Sequence, residues 1–147
     1  MGIKITDCDF KHLLKLRKFF TVSPRLPLEN GSGYYLLKDE SGKEEFQLNI
    51  IRKKVIEFGA NKKKFNHSYF RQPIIRLEID APPHKNPDFT LVGRNHIHIY
   101  KEGYDLRWAY DLKDVSNLFT ELNDFNLLFS DFCVYCNIDD TNSQTVM

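Results

Sequence analysis

Residues 34–54, YYLLKDESGKEEFQLNIIRKK, decide the fold class. Residues 34–38 and 44–52 are rich in the aromatic and branched side chains that fit a pleated surface. Between them Asp39-Glu40-Ser41-Gly42 is turn chemistry with a glycine free to take positive φ. The stretch predicts a β-hairpin, and residues 55–58 should extend its second strand. Past a turn at Gly59-Ala60-Asn61, residues 63–70 carry Phe65, His67 and Tyr69 at the two-residue period of a strand. Residues 73–80 repeat the pattern with Ile75, Leu77 and Ile79. Residues 96–101 and 106–110 complete five or six antiparallel strands in a meander whose loops are short except between Asp80 and Asn95.

Helices are predicted on either side of this block. Thr6 followed by Asp9 has capping-box spacing, so a helix should begin near Asp7. Phe10, Leu13, Leu14, Arg17 and Phe20 give it a mostly apolar stripe to about residue 20, with Lys11, Lys15 and Lys18 on the solvent side. Ser23-Pro24 and Pro27 end it. After Asp111 the period becomes helical again. Asp114 or Ser116 can cap a helix bearing Val115, Leu118, Phe119 and Leu122, and a second should run over residues 125–136. The expected architecture is α+β: an antiparallel meander sheet of five to six strands with an N-terminal and two C-terminal helices packed on it. One domain should span residues 1–147, with a flexible tail from about residue 139.

The chain has 147 residues, 41% of them hydrophobic and 14% aromatic, which is enough apolar material for one core and argues against disorder. Its apolar runs fall far short of the roughly twenty residues a membrane span needs. Asp7 and Asp9 lie where a signal peptide would be apolar, so a cytoplasmic location is expected. Three cysteines without an export signal suggest reduced thiols, which are packing residues or metal ligands. Net charge is only +1 but unevenly spread. Residues 52–76 hold eight Lys or Arg against Glu57, whereas residues 105–147 hold eight acids against Arg107 and Lys113. The runs Arg52-Lys53-Lys54 and Lys62-Lys63-Lys64 are candidate partner-binding residues, with Tyr34, Tyr35, Phe65 and Tyr69 as stacking rings for nucleic acid. Such runs more often blunt sheet edges. The acidic C-terminal helices could instead dock on the positive channel of a nuclease.

The pointed chemistry lies in His96-Ile97-His98. Two histidines two apart on a strand leave the same face and can reach one ion, and zinc suits imidazole. His84, in the Pro-rich loop, can supply a third nitrogen, and Cys136 on the last helix a thiolate, giving a tetrahedral His₃Cys set. Four protein ligands would make the zinc structural rather than catalytic. Cys133 is an alternative ligand, and Cys8 and His12 share a ligand-capable helical spacing. The plain alternative is a pair of hydrogen-bonded strand histidines. A further reading makes the same imidazoles, with Tyr100 and a nearby cation, the acid and base of a ribonuclease.

Residues 76–110, RLEIDAPPHKNPDFTLVGRNHIHIYKEGYDLRWAY, carry Pro82, Pro83, His84, Asn86, Pro87 and Asp88, then His96, His98 and Tyr100, then Glu102, Gly103, Tyr104, Trp108 and Ala109. This pattern resembles the signature of a small family of uncharacterised domains of bacteria, their phages and prophages. Tyr135-Cys136-Asn137-Ile138 also fits, while Phe89 stands where a turn glycine is usual. The resemblance implies a mobile-element context. By analogy with other small phage domains it suggests a zinc-stabilised, non-enzymatic, anti-CRISPR-like protein that inhibits a host defence nuclease such as a Cas effector. The alternative expectation is a histidine-dependent, toxin-like ribonuclease.

Overall fold

A computed structural model describes residues 4–55 and 59–141. Helix α1 (Asp7–Lys15) is followed by β1 (Lys18–Phe20), β2 (Ser32–Asp39), β3 (Glu45–Val55), β4 (Ala60–Tyr69) and β5 (Gln72–Ile79). A small excursion, β6 (His84–Lys85) and β7 (Leu91–Val92), precedes β8 (His96–Ile99) and β9 (Ala109–Asp111). The chain ends in α2 (Leu112–Val115), α3 (Phe125–Cys136) and β10 (Ile138–Asp139). Eight strands form one sheet in the order β10-β1-β2-β3-β4-β5-β8-β9, antiparallel except for the β1–β10 pair. The expected α+β class is therefore observed, with more strands and less helix than predicted. Residues 56–58, expected to lengthen the hairpin, and 142–147 of the expected tail lie outside the described residues. No helix among the described residues is long and apolar enough to cross a membrane.

Strand alternation sorts the sheet into two faces. Leu37, Phe46, Leu48, Ile50, Phe65, Leu77 and Ile97 point to the helical side and are wholly buried against Leu128 and Phe132 of α3. Phe65 stacks between Phe125 and Phe132 at ring separations of 5.8 and 5.2 Å. His67 lies on this side, in the core rather than on the surface, stacked on Phe46 with Nδ1 3.1 Å from the Gln47 carbonyl. Burial and then the nearby Lys18 ammonium push its pKa down to about 3, so it is neutral.

Two helix predictions are corrected. Thr6 caps α1 through Asp9 N as expected, but the helix stops at Lys15, and residues 18–20 form β1 instead of its last turn. Lys18 has turned inward. It is fully buried, and its Nζ donates to the carbonyls of Leu14 (3.0 Å), Leu16 (2.9 Å) and Cys136 (2.7 Å). The helix expected after Asp114 or Ser116 does not form, because Ser116 is extended and Phe119 takes positive φ while its N–H donates to Asp131; the one turn of α2 lies before it, with Asp111 at its N-cap position. Arg52 and Lys63 also leave the candidate surface. Arg52 lies 3.9 Å over the Phe125 ring and donates to the Pro27 carbonyl, and buried Lys63 donates to that of Leu122. Lys53 and Lys54 are exposed, and Lys62 and Lys64 half-buried.

Phe89, at the turn between β6 and β7, has φ 72° and is 76% exposed. A bulky side chain there is strained by about 1–2 kcal/mol. Phe89→Gly should consequently leave the melting temperature unchanged or raise it, despite glycine's usual cost of roughly 0.5–1 kcal/mol, as thermal unfolding would show.

Candidate metal centre

On the face away from the helices, registry sets residues side by side. His98 pairs with Arg76 and His96 with Glu78 between β8 and β5. Because Ile97 and the apolar residues of β5 point into the core, the polar residues alternating with them must share the opposite side. The excursion between β5 and β8 folds over this end of the sheet. Asn86 fastens it by pairing with the backbone of Ala109 in β9, its Nδ2 donating to the carbonyl (3.0 Å) and its Oδ1 accepting from the amide (2.8 Å). Asp88 closes the turn by accepting from the Thr90 amide and hydroxyl. The Pro-Pro-His-x-Asn-Pro-Asp stretch is thus a cover clamped to the sheet. It holds the His84 ring 4.7 Å from that of His98 and 6.0 Å from that of His96.

Glu78, His96 and His98 bring one ligand atom each within 4.8 Å of one another and could hold a metal ion. Glu78 Oε2 is 2.8 Å from His98 Nε2 and 3.6 Å from His96 Nε2. These separations bracket the about 3.3 Å expected between donors sharing a tetrahedral zinc at 2.0–2.1 Å. Backbone carbonyls orient both rings: His96 Nδ1 lies 2.7 Å from Gly93 O, and His98 Nδ1 2.7 Å from Leu106 O. A carbonyl only accepts, so each Nδ1 carries a hydrogen, and in the neutral ring each Nε2 presents its lone pair to the carboxylate. His84 repeats the device in reverse, with Nε2 2.8 Å from Arg107 O and Nδ1 left as the acceptor. Close as it is, the His98–Glu78 contact is not aligned as a hydrogen bond, and that buried Nε2 has no hydrogen-bond partner among the described residues. The imidazoles of His96 and His98 hold Glu78 well below the usual carboxylate range. Burial would lower the pKa of His96, but Glu78 and the Gly93 carbonyl outweigh it and raise the value.

Of the predicted ligands, the structure brings His96 and His98 together and places His84 beside them, outside the three-residue cluster. It does not bring Cys136 there. Cys136 is buried in the helical core with Leu77 and Ile97, behind the sheet, and burial pushes its thiol up to about 12. Cys133 is likewise a buried core thiol, raised by burial, whereas Cys8 and His12 are exposed on α1. The Tyr100 hydroxyl donates to Ile5 O, at 2.5 Å, and not to either histidine. Glu78 is the candidate ligand that the sequence pattern did not single out. Its signal was a charged pair, Arg76 and Glu78, interleaved with the apolar residues of one strand.

A cleft of about 640 Å³ opens onto the cluster, lined among others by Arg76, His84, Asp105 and Arg107. The model of a family of unknown function, DUF6978, matches residues 5–138. The chain belongs to that family. The matched DUF6978 region contains the cover, the cluster and the whole sheet except Asp139, the last residue of β10. Neither a curated protein nor a solved structure matches the chain.

Proposed function

We propose that this DUF6978 domain is a metalloprotein in which Glu78, His96 and His98 hold one zinc ion and leave a coordination position open to the cleft, so that it serves metal-assisted hydrolysis of an anionic substrate. The observation that carries this reading is the convergence of a carboxylate with two nitrogen lone pairs whose rings are oriented by the Gly93 and Leu106 carbonyls. Neutral imidazoles oriented this way repel Glu78, and either a proton on Nε2 or a metal ion between the donors relieves that repulsion. Imidazole with carboxylate suits zinc, and three protein ligands with a free fourth position is the arrangement of catalytic rather than structural sites. The His₃Cys set expected from sequence would have closed that position, and the thiolate it needs is behind the sheet.

When bound, such an ion polarises a substrate oxygen and lowers the pKa of water to about 7. The chain's own residues supply the rest. Arg76 has no salt-bridge partner among the described residues, and its side chain makes just one hydrogen bond among them, from Nε to Asn66 Oδ1 at 3.3 Å, so its terminal nitrogens can receive an anion. His84, with Nδ1 free, stands beside the open side as a proton carrier. Titration calorimetry of metal-stripped protein with zinc should give one site per chain. Glu78→Gln should weaken it by a hundredfold or more and Cys136→Ser should leave it intact; equal binding by wild type and Glu78→Gln would refute the reading.

A further inference from the structure

Two rows of side chains run across the uncovered face and end in the proposed metal centre. One is Tyr34–Asn49–Asn66–Arg76–His98, the other Ser32–Ile51–Lys64–Glu78–His96, each read directly from the pairing of β2, β3, β4, β5 and β8. The cover reaches only the β8 and β9 end. Beyond it the face is open: Tyr34 is 58% exposed, and Leu36 and Ile51 are exposed beside it. Lys53 pairs with Lys62 on the same face, one step beyond the second row. Lys53, Lys62, Lys64 and Arg76 therefore stand together, and the acids paired on this face among the described residues are Glu78, Glu45 opposite Lys38, and, at the covered β9 end, Asp111, which sits opposite His96 and accepts from the Gly93 amide.

We infer that this face binds single-stranded nucleic acid and leads one of its phosphodiesters to the metal centre. The inference rests on the hydrolytic reading for its end point and on the open face alone for binding. Its chemistry fits a polyanion with unpaired bases. An exposed tyrosine ring stacks a base, side-chain amides of Asn49 and Asn66 meet base edges or sugar, and the cations meet phosphates. From Tyr34 to His98 is four strand spacings, about 19 Å, room for several nucleotides rather than one small anion. An exposed two-dimensional platform gives a duplex no base face to stack, so single strands are selected. An acidic protein would meet the cations but would gain nothing from Tyr34 and the amide row.

Fluorescence anisotropy with labelled twelve-residue oligouridylate and oligothymidylate tests this, on wild type and on Glu78→Gln, with and without zinc. The expected result is binding of at least one of the two oligomers by both proteins, the preferred one identifying RNA or DNA. Neutralising three to four phosphates predicts a salt slope of about −2 to −3. Arg76→Ala or Lys64→Glu should weaken binding about tenfold, and Tyr34→Ala about fivefold or more, whereas Lys11→Glu on α1 should change nothing. The inference is overturned if neither oligomer binds, if the face variants bind as wild type does, or if polyglutamate or a duplex of the same length binds as tightly. Because Glu78→Gln retains the face, oligomer binding without zinc binding would remove the metal reading and keep this one. Zinc binding without oligomer binding would do the reverse.

Discussion

Zinc should reverse the pH dependence of stability between pH 6.5 and the folded-state value of His96. In the metal-free protein the raised pKa of His96 means that its contribution is complete below 6.5, the unfolded value, and is lost as pH rises through the folded one. Glu78, held low, loses its contribution only in acid, as pH falls through its folded value. His67 is depressed to about 3, so its effect is complete above 6.5 and falls away only below that. Lys18, lowered to about 8 mainly by burial, begins to matter only at the upper edge. His96 thus governs the window, and stability without metal should decline across it. Zinc needs its imidazoles deprotonated, so with metal present stability should rise across the same window. At a hundredfold excess over its dissociation constant, zinc should add about 2.7 kcal/mol. This is roughly 5–10 °C in melting temperature for a chain of this size. Calorimetric melting from pH 6.5 to 8, with chelator and with zinc, checks it, and parallel slopes would count against a metal at this site.

Lys18→Met should destabilise the protein by about 3 kcal/mol. The substitution keeps the length of the side chain and its apolar stem, so little volume is lost. What it removes is the donor to three carbonyls, two near the end of α1 and one from the last residue of α3, together with a charge 5.0 Å from the Phe46 ring centroid. Carbonyls at helix C-termini carry excess negative charge, and leaving a buried one unpaired costs about 1–3 kcal/mol. Denaturant unfolding should show a lower midpoint while titration calorimetry with zinc finds the site unchanged, since Lys18 lies on the other face of the sheet. Unchanged stability would mean that water replaces the ammonium.

Lys18 also shows where sequence reading fails. On a helical wheel it belongs with Lys11 and Lys15 on the solvent side, and only the termination of α1 at Lys15 converts its position into a buried strand residue. Local pattern cannot reveal a side chain held in part by a carbonyl 118 residues away. The central strands were legible because alternation and turn residues are local signals. The Asp39–Gly42 turn lies where Gly42 takes φ 76°, but Phe70 and Arg71, both at positive φ, make a tight turn without glycine that no composition signals. For the centre, His96 and His98 follow from a two-residue period, and His84 from the loop that must return beside them. Glu78 required knowing that β5 pairs with β8, and Cys136 failed because periodicity places a residue on a face of its own helix without saying which side of a sheet that helix covers. The inhibitory role expected at first drew on resemblance and size rather than on residues, and family alone does not fix function.

The parallel pairing of Lys18 and Phe19 with Ile138 and Asp139 has a consequence for biosynthesis. The opening strand meets its outer neighbour only after residues 138 and 139 have left the ribosome, and the amine of Lys18 must wait almost as long for Cys136. The sheet should therefore close late, in a slow step set by that long-range contact. Until then the nascent N-terminal segment presents an unsatisfied strand edge for chaperones to shield.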